Sequence, residues 1–516
     1  MPITPTYPGV YIEEIPSNSH AITAAPTSIA IFVGYTHPFM TDSANWNQAT
    51  EIFSFNDYQS AFGGLYTSGV FESHVAYAVS QFFLNGGAVA YVVALQPFYH
   101  DATTGANNGP AQNPAVNVGV LQFTGLQPVD LVPMTVTVNN LQTVNGTNYA
   151  DVSISYGPAA ETYRKVNLGL STDPNFIMNR INKVSKLVTV QAPASSSFTA
   201  VGQAPFQTPA GVDPTWTTFS IDDFTGVFQQ DSSLDKLPVF NLVLIPGVAD
   251  TTIWSEALAF CERKLAFVIM DPPIQDTADG FGQNLPKIYD DFQGSTIPKS
   301  TNGALYFPYI NCGDPLTGNT FPLPPSGSVA GLYATTDNNR GVWKAPAGLQ
   351  TVIQNTIGVV DTGDMTDARQ GTLNPIGVDC LRDFPGIGTV IWGARTLVAE
   401  NTSQQQWEYV PVRRMALFLE QTLRANLTWV VFEPNDEPLW VAIRSSIESF
   451  MLSLFQQGAF QGATPSQAFQ VLCDSTTTTQ QDIDTGVVNI LVAFAPLKPA
   501  EFVVIQIAQL AGQSQS

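Results

Sequence analysis

Ser28-Ile29-Ala30-Ile31-Phe32-Val33-Gly34, Phe71–Leu84 and Ala88–Leu95 decide the reading of this chain. The first is a short, almost continuous apolar run, as a strand covered on both faces requires. The second has the length and apolar spacing of a helix. The third is again strand-like and follows the Gly86-Gly87 break. Strand, helix, strand in that order predicts an α/β layer. The pattern resumes far downstream, with strands over Val239–Ile245, Leu265–Met270 and Ala304–Ile310 and a helix over Thr252–Lys264. The expected fold is therefore a mixed α/β core in two parts, 26–97 and 236–400.

Between the two parts the composition changes. Residues 98–235 are rich in Asn, Thr, Gly, Pro and Gln, with alternating runs such as Met134–Val138 and Asp151–Ser155. Short alternating strands between turn residues predict an inserted all-β domain. Residues 1–25 carry prolines at 2, 5, 8 and 16 around one strand-like run, Val10-Tyr11-Ile12-Glu13-Glu14. Proline withholds ladder donors, so this segment reads as an extended arm with a pairing segment inside it. Residues 401–495 read as a C-terminal α/β domain. Pro411 opens a helix whose apolar stripe is Val412, Met415, Ala416, Leu419, Leu423 and Leu427, and Arg413, Arg414, Glu420, Gln421 and Arg424 lie off that stripe. A second helix opens at Asp436-Glu437-Pro438 and stops at Gly458. Strands over Val487–Phe494 and Glu501–Gln509 follow, the latter in a second arm, 496–516, after Pro496 and Pro499.

The chain has 516 residues, 20 basic and 42 acidic, a formal charge of −22. Arg164 is the first Lys or Arg. So acidic a surface repels phosphate backbones, which argues against direct nucleic-acid binding. Apolar residues make up 44 %, enough for a sizeable core. The longest apolar stretches, Gly86–Leu95 and Leu237–Val248, fall short of the ~20 residues that span a bilayer, and Met1–Val10 lacks the basic start and apolar run of a secretion signal. Cys261, Cys312, Cys380 and Cys473 are far apart in sequence, so neither a zinc site nor a disulfide framework is expected, and four structural thiols are.

Catalytic chemistry is sparse. His20, His37, His74 and His100 are the only histidines, with no HExxH, and no Gly-Lys dipeptide exists to form a phosphate-binding loop. Asp361-Thr362-Gly363 and Asp484-Thr485-Gly486 repeat the tripeptide of aspartic proteases, whose two carboxylates share a proton. The residues that follow, Asp364 and Val487, are not the usual Ser or Thr, and the flanking text shows no pair of similar lobes. Asp361, Asp364 and Asp367 lack the positional pattern of a calcium loop. No cofactor, metal or catalytic residue is expected, and the protease is the alternative reading. The distinctive features are mechanical: two extended arms, each with a β segment whose unpaired main-chain groups could complete another subunit's sheet.

In this order the residues resemble the tail sheath proteins of contractile phages and phage-like contractile injection systems. The resemblance rests on Tyr7–Ser17, Thr27–Gly34, Leu373–Gly377, Phe384-Pro385-Gly386, Trp392–Leu397, Val412-Arg413-Arg414, Trp429–Asp436, Pro438-Leu439-Trp440 and Phe494–Val503. It covers about 1–95 and 236–516, while 98–235 matches nothing nameable, as the family's outer insertions vary. It implies a non-enzymatic subunit that stacks as hexameric rings around an inner tube and contracts from a metastable extended state. Baseplate and terminal cap proteins would be further partners. Assembly would take place in the bacterial cytoplasm, as part of a phage tail or of a released or anchored injection particle. It further implies that strands of two neighbours join the C-terminal sheet of a third subunit. Mapped here, the arms are Val10, Tyr11, Ile12, Glu13 and Glu14, and Phe502, Val503, Val504, Ile505, Gln506 and Ile507. The acceptor strand is Val487, Val488, Asn489, Ile490, Leu491, Val492, Ala493 and Phe494. The tube-facing candidates are Arg413, Arg414, Glu420, Arg424, Arg444 and Glu448.

Overall fold

The computed structural model describes residues 20–37, 40–66, 73–96, 98–101, 107–110, 115–126, 134–156, 159–169, 171–192, 201–205, 216–217, 220–273, 288–289, 294, 296–360 and 365–506. The chain divides into two compact units. One comprises 26–340 and 345–413, the other 1–25, 341–344 and 414–516.

In the first unit, β1 (Ala30–Gly34), β2 (Thr50–Ile52), α1 (Phe55–Phe62), α2 (Val75–Leu84) and β3 (Ala90–Ala94) form the opening βαβ layer. Every residue of β1 is buried, because strands lie on both sides of it and helices cover both faces. Ten short strands follow: β4 (Phe98–Asp101), β5 (Asn107–Pro110), β6 (Ala115–Val118), β7 (Leu121–Gly125), β8 (Thr135–Val144), β9 (Thr147–Tyr156), β10 (Ala159–Asn167), β11 (Val188–Gln191), β12 (Gly202–Pro205) and β13 (Trp216–Thr217), with α3 (Ile177–Ile181) among them. All their pairings are antiparallel, in sheets ordered β10-β9-β8-β12, β11-β7-β6 and β13-β4-β5. Leu121, Phe123, Val136, Val152, Ile154, Ile177 and Val190 share a core of their own. Asp151 joins two bulged strands: its carboxylate accepts from Asn140 Nδ2 at 2.9 Å and from the Lys165 N–H at 2.8 Å.

The α/β text then resumes with α4 (Ile221–Val227), β14 (Leu242–Leu244), α5 (Thr251–Lys264), β15 (Phe267–Met270), β16 (Gly303–Phe307), β17 (Ile310–Gly313), β18 (Thr320–Leu323), α6 (Ser326–Arg340), α7 (Asp367–Leu373), β19 (Val378–Phe384) and β20 (Gly388–Ile391). The main sheet has the order β2-β3-β1-β14-β15-β16-β19-β20, parallel throughout except at its two outer pairs. Two sequence expectations change. Phe224, Val227, Phe228 and Leu234 pack into the α/β core, so the β-rich stretch ends before 221 and not at 235; Phe224 and Val227 lie on a short helix and Phe228 caps it. The strand expected over Ala304–Ile310 stops at Phe307 ahead of Pro308, and Ile310 starts a separate ribbon.

Two glycines let α6 lie directly on α2. A Cβ on Gly327 would meet Ala78 O at 2.3 Å and Ala78 Cα at 2.6 Å, and one on Gly331 would meet Phe82 O at 2.6 Å. Backbone cannot move aside as a side-chain tip can. Gly327→Val should destabilise the chain by about 3 kcal/mol, read as a lower urea midpoint.

Asp271, directly after β15, is wholly buried. Its carboxylate accepts from the Ser326 N–H (2.8 Å), Ser326 Oγ (2.6 Å) and the Gly247 N–H (3.1 Å). Desolvation outweighs those donors and pushes its pKa up to about 6. A carboxyl raised above its unfolded value favours the fold while protonated. That contribution is complete below about pH 4 and is lost as pH rises through about 6. Asp271→Asn cannot ionise, so its stability relative to the native chain should improve from pH 4 to 6, by at most about 1.4 kcal/mol per pH unit. Urea titrations with a pH-independent difference would refute this.

Candidate functional site

The second unit is built on α8 (Val410–Asn426), which enters it at Arg414, and α9 (Glu437–Gln456). Asp436 caps α9 by accepting from the Leu439 N–H, and Pro438 occupies the first turn, where its missing N–H costs nothing. Met415, Phe418 and Leu419 meet Trp440, Ile443, Ile447, Phe450, Met451 and Leu454 in one core, joined by Val342, Phe460, Ala468 and Val471. That core carries α10 (Pro465–Ala468), β21 (Phe469–Leu472), α11 (Gln480–Asp484) and β22 (Leu491–Phe494). Thr479 and Asp482 close a reciprocal cap on α11, and these bonds hold the Asp482 carboxyl below its ordinary pKa.

β21 and β22 pair antiparallel, from Phe469 with Phe494 to Leu472 with Leu491, and among the described residues no third strand joins them. Only Leu491, Val492, Ala493 and Phe494 of the expected acceptor Val487–Phe494 are strand. Val487, Val488, Asn489 and Ile490 form an irregular lead-in, because the Val487 N–H donates to Asp482 O and the Asn489 N–H to Thr478 Oγ1, away from any ladder. The partner β21 was not anticipated; its four residues are too short for alternation to stand out. After β22, the Ala495 N–H donates to Ala468 O and Pro496 bridges Phe460. Beyond that, Phe502, Val503, Val504 and Ile505 are 73, 81, 82 and 79 % exposed. They and Gln506 make no strand pairing, so the strand expected from Glu501 has no partner among the described residues. Ile507 and the first arm, Val10–Glu14, lie outside the described residues.

Residues 20–25 run along α8. His20 stacks on Trp429 with ring centroids 3.8 Å apart. The Thr23 N–H donates to Asn426 Oδ1 at 2.9 Å, and Asn426 Nδ2 donates back to Thr23 O at 2.8 Å. The Ala25 N–H donates to Thr422 Oγ1, and Ile22 packs against the core. The N-terminal segment is thus fastened within its own unit at its root. Sequence reading missed this clamp, since contacts 403 residues apart leave no local signal.

The charged candidates divide. Arg424, Glu420 and Glu448 are exposed. Arg444 is half-buried and donates to Cys473 O at 2.9 Å. Arg413, in the first unit, donates to Asn302 Oδ1 and lies over the Trp407 ring at 5.0 Å. Arg414 is 3 % exposed, so its expected place on a contact face is withdrawn: a side chain buried in its own subunit presents no charge to another.

Among the described residues no catalytic grouping emerges. Burial lowers His37 and His74 to about 4, leaving both neutral. Asp484 is exposed and accepts from Gln480 Nε2, whereas a proton-sharing dyad is enclosed; Asp361 lies outside the described residues. All four cysteines are buried and unpaired. Among the described residues no helix is long and apolar enough to cross a membrane.

The class of protein is an α/β core followed in sequence by a second unit that carries a two-stranded ribbon. Two family models match it: the phage tail sheath protein central domain matches residues 232–397 and the phage tail sheath C-terminal domain matches 402–509, together just over half of the chain. The chain belongs to the phage tail sheath family. It is 28 % identical over 182 residues to the tail sheath protein of Vibrio phage KVP40, covering 35 % of this chain and 25 % of that one. It is 26 % identical over 162 residues to the tail sheath protein of Burkholderia phage BcepMu, covering 31 % and 33 %. The chain thus matches less than half the length of these curated relatives. In fold it is similar to the contracted helical sheath of the anti-feeding prophage, with TM-score 0.57 at 22 % identity over 98 % of this chain and all of that one. A sheath tail protein from Desulfitobacterium hafniense gives TM-score 0.59 at 12 % identity, over 95 % of this chain and all of that one.

Asn426→Ala removes both bonds to Thr23. With about 1 kcal/mol of anchorage lost, thermolysin cleavage before Ile22 should accelerate about fivefold while the urea midpoint of the whole chain barely moves. An unchanged cleavage rate would show that the stack on Trp429 alone holds the segment.

Proposed function

We propose that this protein is the sheath subunit of a contractile phage tail or phage-like injection particle. It stacks as hexameric rings around an inner tube and contracts from an extended, metastable state, with baseplate and terminal cap proteins at the ends. Residues 1–25 and 496–516 are its linking arms, and the β-rich stretch from residue 98 is an insertion in the α/β core. The carrying observation is the exposed run Phe502–Gln506, which makes no strand pairing among the described residues, in the same unit as a ribbon that no third described strand joins. An isolated two-stranded ribbon is marginal in water. An added strand supplies ladder hydrogen bonds worth about 1 kcal/mol each and buries apolar side chains worth about 1.5–3 kcal/mol each. Such a link survives rigid-body rotation of subunits if the connecting chain flexes, and beyond the Pro496 bridge Pro499 withholds a ladder donor from that connection.

The N-terminal arm has the same logic. Its root is clamped at His20–Ala25, so nineteen preceding residues can reach about 60 Å when extended. The inner tube would meet Glu420, Arg424 and Glu448, the exposed charges among the candidates, with Arg413 and Arg444 held back by their own bonds. Exposed ion pairs contribute about 0–1 kcal/mol each, weak enough for a sheath that must release its tube.

Deleting residues 1–15 should leave folded, soluble subunits that form no cylinders under negative-stain microscopy. In the C-terminal arm, neighbouring residues point their N–H groups to opposite sides, so Val503→Pro and Val504→Pro remove donors from opposite sides. At least one should abolish cylinders. If both variants and the truncation polymerise like the native chain, strand linkage is wrong.

A further inference from the structure

The turn joining α8 to α9 places an aromatic ring where the subunit alone gains nothing from it. The Val430 carbonyl accepts from the Glu433 N–H at 3.2 Å. Val431 has φ −69° and ψ 127°, and Phe432 has φ 72°. This is a type II turn, whose third position calls for glycine because a Cβ crowds the backbone there. Phenylalanine occupies it. Its side chain is fully exposed (102 %), and Val431 beside it is 62 % exposed. The isolated chain therefore carries both backbone strain and an uncovered aromatic at one residue. Strain of this kind persists where a site uses it.

The surroundings point to the occupant. Asn435, three residues on, donates from Nδ2 to Val487 O at 2.9 Å and accepts from Trp440 Nε1 at 2.8 Å. The turn is thereby tied to the segment entering β22, where Val487 and Leu491 are 42 % and 52 % exposed. We propose that Phe432, backed by Val431, is an anchor that docks against a second copy of this chain at the contact running on from the β22 edge, which no third strand joins among the described residues. This rests on the strand-linkage reading above, since the edge is an interface only if a neighbour's strand joins it. A copy of the same chain brings the complementary chemistry: the exposed apolar run Phe502-Val503-Val504-Ile505, arriving as a strand at that edge. With a net charge of −22 on every copy, long-range forces oppose association, and a desolvated aromatic anchor supplies attraction independent of charge.

The test compares Phe432→Gly and Phe432→Ala in the full chain. Glycine relieves the turn, so the unassembled Phe432→Gly subunit should melt above the native one. Both variants should raise the critical concentration for cylinder formation, measured by sedimentation, at least tenfold. A more stable subunit that assembles worse is the expected signature, and a residue serving its own fold would not give it. A lower melting midpoint for Phe432→Gly would assign the ring to the subunit's interior economy and overturn the proposal. An unchanged critical concentration in both variants, with Val503→Pro or Val504→Pro still blocking cylinders, overturns the anchor and leaves strand linkage standing. Normal cylinders that no longer retain the tube protein would reassign the ring to the tube, which also overturns it.

Discussion

A strand edge is a row of main-chain donors and acceptors that must be satisfied, and in the C-terminal unit no third described strand joins the β21–β22 ribbon. Everything else in that unit arranges matters around this. The α8–α9 core gives β21 and β22 a platform, the cap at Thr479 and Asp482 directs the chain into β22, and the Ala495 and Pro496 contacts fix where it leaves. Past that point four apolar side chains face solvent. A subunit designed to stand alone would blunt such an edge with charge or cover it. Here the apolar run Phe502–Ile505 carries no charge and is left exposed.

The α/β unit follows the opposite rule. Its sheet is shielded on both faces, its helices touch backbone to backbone at Gly327 and Gly331, and a carboxylate as costly as Asp271 is tolerated because three donors hold it between a strand end and a helix start. Close-packed contacts of this sort have few alternative arrangements and transmit motion rather than absorb it.

The layered core was legible because apolar periodicity reports burial directly: β1, β3, β15, α2, α5, α8 and α9 all lie within a few residues of their expected bounds. Phe224, Val227 and Phe228 were misassigned because a short helix embedded in polar, turn-rich text carries too few apolar repeats to announce which core it joins. The acceptor strand was drawn too long for a similar reason. Val487–Phe494 is largely β-prone, yet two bonds, from the Val487 N–H to the Asp482 carbonyl and from the Asn489 N–H to Thr478 Oγ1, divert half of it. Arg414 looked like a surface charge because it lies off the α8 stripe, but a helix can be buried on more than one side.

By itself the sequence determined the apolar pattern of the core, the acidic surface, the prolines near both termini and the ordered motifs of the sheath family, all of which depend on residues close together in the chain. Tertiary structure alone decided what depends on distant residues meeting. It recruited Val342 and Trp343 to the C-terminal unit, fastened His20–Ala25 to α8, buried Arg414 and left Phe432 bare. Periodicity reveals that a side chain will be covered or exposed on average, but only packing chooses its neighbour.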